Sequence, residues 1–334
     1  MTIPPVVVPP GESDSPLTEV WSSQPGRGIS APFALDDSSV YLGGSDRRVE
    51  AVSLASGKTR WSLRLGGPLV AGVLYAGGVV YAPTDQPGTK VFALRVADGR
   101  KLWGTSTGGI GAPLSLINGL LIAQSRRGVV MALDPATGAI KWRRRVGPSR
   151  APAVEGDSGV VIVATIDSLF RLNGTDGKVL TRIPTPGVIL SSWVRRGTEL
   201  IAGTTDSLVI GLRASDLTVA WKVRADGPIL STPAVQGDTL YAATAIGGLF
   251  RVTLTPEPSI HKIADLSWPV TSAPVLLDSL IVLGGADGTV RAFGMDGNER
   301  WRLRIGRPAE NPPRLIVDGF LALGGRGDLH RYRQ

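Results

Sequence analysis

Val130-Met131-Ala132-Leu133-Asp134-Pro135-Ala136-Thr137-Gly138-Ala139-Ile140-Lys141-Trp142 is the stretch on which the fold turns. An apolar run of strand length meets an Asp/Gly turn, and a second short run follows that ends on tryptophan. Two antiparallel strands joined by a tight turn have this form. The second half of the phrase recurs as Ser56-Gly57-Lys58-Thr59-Arg60-Trp61, as Asp98-Gly99-Arg100-Lys101-Leu102-Trp103 and as Asp296-Gly297-Asn298-Glu299-Arg300-Trp301. Asp176-Gly177 keeps the turn but has Thr181 in the tryptophan column. Asp216 to Trp221 keeps the tryptophan but has Leu217 in the glycine column, and a degenerate unit puts Lys262 where tryptophan stands elsewhere. With Trp21 at its head, the column reads 21, 61, 103, 142, 181, 221, 262 and 301, in steps of 39 to 42 residues.

A second column has the same period. Ser30-Ala31-Pro32, Gly111-Ala112-Pro113, Arg150-Ala151-Pro152, Ser231-Thr232-Pro233, Ser272-Ala273-Pro274 and Asn311-Pro312-Pro313 open successive units, with Val70-Ala71-Gly72 and Ser191-Ser192-Trp193 as variants. Within a unit, as from Ala151 to Ile183, four strand-like runs alternate with Gly, Asp, Asn and Ser clusters, and no segment holds a helical period. Four strands per unit of about 40 residues describe a propeller blade. The last unit stops after three strands, and Leu17-Thr18-Glu19-Val20-Trp21 supplies the missing fourth at the other end of the chain. The expectation is an all-β, eight-bladed β-propeller of four-stranded antiparallel blades. Its last blade is closed by the N-terminal strand, with residues 1–16 as a Pro-rich flexible leader and 17–334 as the single propeller. Trp21, Trp61, Trp103, Trp142, Trp221 and Trp301 are expected to wedge between blades. Trp193 and Trp268 fall outside that column.

Composition agrees with the repeat. Of 334 residues, 43% are hydrophobic and 19% charged, enough for a large core, and 43 glycines with 25 prolines suit many short strands and turns. The chain has no cysteine, which excludes disulfides, thiolate metal sites and a cysteine nucleophile. Its two histidines, His261 and His330, stand at no metal-ligand spacing. Glycine-rich Leu323-Gly324-Gly325-Arg326-Gly327 precedes no helix, so it offers no phosphate cradle. No apolar run reaches the roughly 18 residues of a membrane-spanning helix. The opening Met1 to Pro16 has no basic segment and no cleavage site, so as written it carries no export signal.

The Ala-Leu strand followed by the Gly-x-x-x-Trp turn resembles the pyrroloquinoline-quinone-like (PQQ-like) propeller repeat, over nearly the whole chain from Leu17 onward. Within that superfamily the compact, uninterrupted blades and the opening Thr18-Glu19-Val20-Trp21 followed by Gly28-Ile29-Ser30 are most similar to the outer-membrane protein assembly factor (BamB) family. The resemblance implies a periplasmic, outer-membrane-associated scaffold. Its partners would be the outer-membrane barrel assembly subunit or nascent outer-membrane proteins, with no catalysis, no cofactor, no nucleic acid, no membrane span of its own and a monomeric state. It also implies a lipid-bearing cysteine, absent here, and a long loop with leucines and an arginine. The matching junction, Val146 to Arg150, is short and keeps only Arg150. The same repeat serves quinone-dependent dehydrogenases and extracytoplasmic sensor domains, and these are the alternatives. The resemblance implies that the enzymes need long insertions and a calcium-binding carboxylate site, and the blades here are nearly uniform in length.

Two candidate partner-binding regions follow. Loops at one mouth of the channel are marked by Ser30, Val70, Gly111, Arg150, Ser191, Ser231, Ser272 and Asn311, which the Pro column makes symmetry-equivalent. A basic patch is formed by Arg126 and Arg127 in a hairpin turn with Arg143 and Arg145, which strand alternation separates from Arg144. The net charge of +8 suits an acidic partner.

Overall fold

The computed structural model describes residues 16–334 apart from Arg27, Ser30, Ala31, Thr271, Arg307, Glu310, Arg326 and Gln334. The expected leader lies almost wholly outside the described residues. Eight four-stranded antiparallel sheets follow one another, each built from strands consecutive in the chain except the last. Blade 3 is representative: Ser115–Ile117, Leu120–Gln124, Val129–Leu133 and Ile140–Arg145, from the axis outward. Blade 8 takes Arg314–Ile316, Gly319–Gly324 and Asp328–Arg333, and Thr18–Ser23 completes it. Thr18 stands opposite Arg333 and Ser23 opposite Leu329, so the ring closes as the repeat count predicts. The one helical turn among the described residues is a 3-10 turn at Asp157–Gly159.

The two middle strands of each blade are apolar on both faces because both faces meet another blade. Leu121, Ile122, Ala123, Val130, Met131 and Ala132 are buried in blade 3, and comparable clusters fill every junction. Each outer strand bulges by one residue, just before the tryptophan column in seven blades and just after it in blade 6, where the extra residue is Ile263 beyond Lys262. Ala51, Ala93, Ala132 and Ala292 stand directly opposite Trp61, Trp103, Trp142 and Trp301. A small residue there leaves the indole room to lie against the sheet.

The two halves of the repeated phrase prove to be partners across blades. The indole N–H of Trp21 donates to Leu54 O of blade 1 at 3.0 Å, Trp61 to Val96 O at 2.7 Å, Trp103 to Pro135 O at 3.0 Å and Trp142 to Gly174 O at 2.7 Å. Each ring lies on the turn glycine of the following blade: Gly57, Gly99, Gly138 and Gly177 respectively. A Cβ on Gly177 would fall 2.5 Å from the Trp142 ring, and its φ of +69° disfavours any other residue as well. Trp221 also packs between blades 5 and 6, but the next turn has no glycine. Its ring folds over Gly211 and its N–H points to Glu199 Oε2 at 3.3 Å. Trp301 stacks on Phe320 of blade 8, with centroids 6.1 Å apart. Trp193 and Trp268 are buried in the loops between blades.

One buried carboxyl makes stability depend on pH. Glu50 of blade 1 accepts a hydrogen bond from Ser62 Oγ at 2.8 Å, while its Oε2 has no partner. Burial pushes its pKa above the ordinary 4.5, against the lowering effect of the Ser62 hydrogen bond. A carboxyl whose folded pKa is raised binds its proton more tightly in the folded state. Its stabilising contribution is therefore present in acid and is lost as the pH rises from about 4.5 through the folded value. Glu50→Gln is expected to be more stable than the parent at pH 7 and to show no matching gain on acidification. Denaturant midpoints at pH 5 and pH 7 check this, and a variant weaker at both would refute it.

Candidate docking face

The strand order gives the disc two unlike faces. Turns between second and third strands, and loops from the outer strand of one blade to the inner strand of the next, open on one face. The remaining turns open on the other. The first face carries the described loop positions singled out from the sequence, but their equivalence needs correction. In blades 1 to 4 the inner strand starts two residues after the Pro column (Pro32 to Ala34, Pro113 to Ser115, Pro152 to Val154), whereas in blades 5 to 8 it starts one residue after it (Pro233 to Ala234, Pro274 to Val275, Pro313 to Arg314). The fixed point is instead a buried residue just ahead, such as Ile29, Leu69, Ile110, Ile189 or Ile229.

Aligned on that residue, Val70, Gly111 and Arg150 are equivalent to Leu190 and Leu230. Ser191, Ser231, Ser272 and Asn311 are equivalent to Ala71, Ala112 and Ala151. The consequence is visible in exposure. Val70, Arg150 and Leu230 are exposed, whereas Ser272 and Asn311 keep only 1% and 5% of their surface and Ser191 is also buried. Ser272 Oγ accepts the Gly284 N–H at 2.7 Å, a bond within the blade. These three side chains hold the loop bases and present nothing outward; Ser231 is half-buried, and Ser30 lies outside the described residues. The Pro column does not point to Leu190 and Leu230, because its distance from the inner strand changes by one residue between blades 4 and 5. The buried aliphatic column would have found them.

The basic residues do converge here. A Cβ on Gly111 would lie 3.2 Å from Arg126 Cγ and 3.3 Å from Ser149 O, so the Arg126 turn touches both the Gly111 loop and the loop leading to Arg150. Arg126 pairs with Asp85 of blade 2 at 2.9 Å while half its side chain stays open to solvent, and Arg127 is exposed. Arg143 and Arg145 are exposed, and Arg145 pairs with Val129 at the end of its strand nearest this face. Arg144 points the other way, into the next blade, where its Nε donates to Gly177 O at 2.8 Å. On the same face stand apolar tips that the sequence did not distinguish from core: Ile166 and Ile246, 57% and 61% exposed, at turns of blades 4 and 6. Cations and exposed aliphatics on one face suit a protein surface that is acidic and partly apolar.

Chemistry-bearing side chains are dispersed. Among the described residues, no three His, Cys, Asp or Glu come together as a metal set, and no helix is long and apolar enough to cross a membrane. His330 stacks on Tyr332 in the closing blade, with its Nδ1 3.4 Å from Glu19 Oε2.

Comparison with known proteins agrees with this architecture. The computed structure superposes on the crystal structure of BamB from Moraxella catarrhalis with a TM-score of 0.81, covering 95% of this chain and 100% of that one at 16% identity. It is also similar to the computationally designed Ika8 protein, with a TM-score of 0.75 at 12% identity over 94% of this chain and 98% of that one. Outer membrane protein assembly factor BamB of Burkholderia pseudomallei (strain K96243) is 31% identical over 179 residues, 50% of this chain and 46% of that protein, so the match spans under half of that relative. The Yersinia pestis protein of the same name is 23% identical over 338 residues, 86% of this chain and 81% of that one. The family model described as outer membrane protein assembly factor BamB matches residues 18–126 and 126–256. With well over half its length matched by that description, and with a closed ring of eight blades, the chain belongs to the BamB family.

Proposed function

We propose that the protein is a non-catalytic periplasmic scaffold that docks a protein of the outer-membrane assembly system through the loop face of blades 3 to 6. The observation that carries this reading is the exposure of Arg126, Arg127, Arg145 and Arg150, with Ile166, Leu230 and Ile246, on one face of a family member. Addition of a strand to a blade edge is the less favoured mode. Every outer strand is bulged, and bulges with edge cations are the devices by which sheets refuse an extra strand. Blade 3's outer strand is Ile140-Lys141-Trp142-Arg143-Arg144-Arg145, which adds charge to the bulge.

The test is binding of the full chain to the purified outer-membrane barrel assembly subunit of the same cell. Replacing Arg126, Arg127, Arg145 and Arg150 together by Ala is expected to weaken binding about tenfold or more and to flatten its salt dependence. Lys58→Ala/Lys178→Ala, on the opposite face, is expected to leave it unchanged. Equal loss from both variants, or from neither, would overturn this face as the docking surface.

A further inference from the structure

The innermost strands start in register: Ala34 stands opposite Tyr41, Ser115 opposite Ile122, Ala234 opposite Tyr241 and Arg314 opposite Leu321. At this level the residue is aliphatic in six blades, Ser115 in blade 3 and Arg314 in blade 8. Ser115 shows where such a side chain points, since its Oγ donates to Ala153 O of the following blade at 2.6 Å. Arg314 takes the same direction toward the following blade, and its guanidinium lies 5.9 Å from the centre of the Phe33 ring. Both Ala153 and Phe33 immediately precede an inner strand.

Arg314 has no carboxylate and no hydrogen-bonding partner among the described residues. It is exposed to solvent, yet the surrounding protein desolvates it enough to lower its pKa. Both hold for a side chain inside an open channel, where solvent reaches the group but protein encloses it. Glu155, an exposed acid on an inner strand, is in blade 4, half the ring away. Exposed Leu315 and Leu116 share the inner strands with these groups. The other exposed cation of this kind on an inner strand, Arg195 in blade 5, is paired with Asp157, and the well-enclosed Arg331 and Arg291 are paired with Asp318 and Asp287.

We propose that Arg314 makes the mouth of the channel a binding site for a carboxylate carried on an apolar body. A planar guanidinium held against an aromatic ring presents two parallel N–H donors, which match one carboxylate. A phosphate dianion would need further cations or a nest of backbone N–H groups, and the equivalent positions in the other blades carry no charge. The apolar wall selects for the body of the ligand. This site uses no residue of the docking face, so failure of either reading leaves the other standing.

Calorimetric titration of the full chain tests it, with N-acetyl-Ala-Leu as free acid, the same peptide as its C-terminal amide, hexanoate, and inorganic phosphate. The free acids are expected to bind and the amide not to. The tighter of the two acids assigns a peptide end or a short fatty acid as the natural source, and either supports the site. Arg314→Leu is expected to weaken acid binding by about tenfold to a hundredfold with little change in Tm, because no hydrogen bond or ion pair among the described residues is lost and leucine can still cover the Phe33 ring. Equal binding of acid and amide, phosphate tighter than both acids, unchanged affinity in Arg314→Leu, or no binding by the parent at millimolar acid would each overturn the proposal.

Discussion

Trp142→Ala is expected to destabilise the protein by about 3–5 kcal/mol, the range for removing a large buried aromatic. Trp142 is 6% exposed and sits in the core shared by blades 3 and 4. Its N–H satisfies Gly174 O at 2.7 Å and its ring covers Gly177. Truncation therefore opens a cavity, leaves a carbonyl without its donor and uncovers the turn that the next blade needs for its outer strand. In a ring each interface supports the next, so the loss is expected as a single shifted unfolding transition several degrees lower. A denaturant-unfolding change below about 1 kcal/mol would show that the indole is not what joins these blades.

The second large effect concerns the blade pair that breaks the repeat. Blade 4 has Thr181 where its neighbours have tryptophan, and blade 5 has Leu217 where they have glycine. Thr181 stands opposite Arg171 just as Trp142 stands opposite Ala132. The Leu217 N–H bonds to Arg213 O as the Gly138 N–H bonds to Asp134 O. Leu217 is fully buried in the core of blades 4 and 5 and holds a φ of +65°, a conformation costly for a branched residue. The leucine thus fills from one side the space that tryptophan fills from the other.

Leu217→Gly is expected to cost about 2–4 kcal/mol, the loss of a buried leucine less the relief of its backbone strain. Thr181→Trp alone is expected to cost about 1–3 kcal/mol by overpacking. Together they restore the Trp–Gly pair of the neighbouring blades, with Arg171 still standing where those blades have alanine, and the double variant is expected to recover part of both losses. A double-mutant cycle by equilibrium unfolding measures the coupling. Additive losses would mean that the two departures are unrelated.

Most of the fold was legible because the phrase carries both halves of one contact. Gly138 is glycine because Trp103 lies on it, and Trp142 is tryptophan because Gly177 lies under it, so in the regular units each blade interface is written twice. The site was legible only in part. Proline at the loop marks the approach to an inner strand but not its first residue, and a one-residue slip between Pro152 and Trp193 moved half the proposed ring from loop tips to loop bases. Ile166 and Ile246 look like core in a sequence, since exposure depends on a turn's position on the disc and not on residue type. Arg126, Arg127 and Arg150 were recognisable as basic, but only the closed ring sets their loops side by side. Arg314 gave no signal at all: one arginine among 36 basic residues becomes unusual only when seven uncharged counterparts surround it.

The closing strand also fixes how the disc is held. Thr18 lies beside Arg333, and the strand runs from there to Ser23, toward the face with the basic and apolar tips. The two ends of the described chain therefore emerge together at the rim, on the side turned away from those tips. A handle attached at either end grips the plate from behind, leaving its front clear and facing away from the anchorage. A label or a solid support coupled there should cast no shadow on an incoming partner.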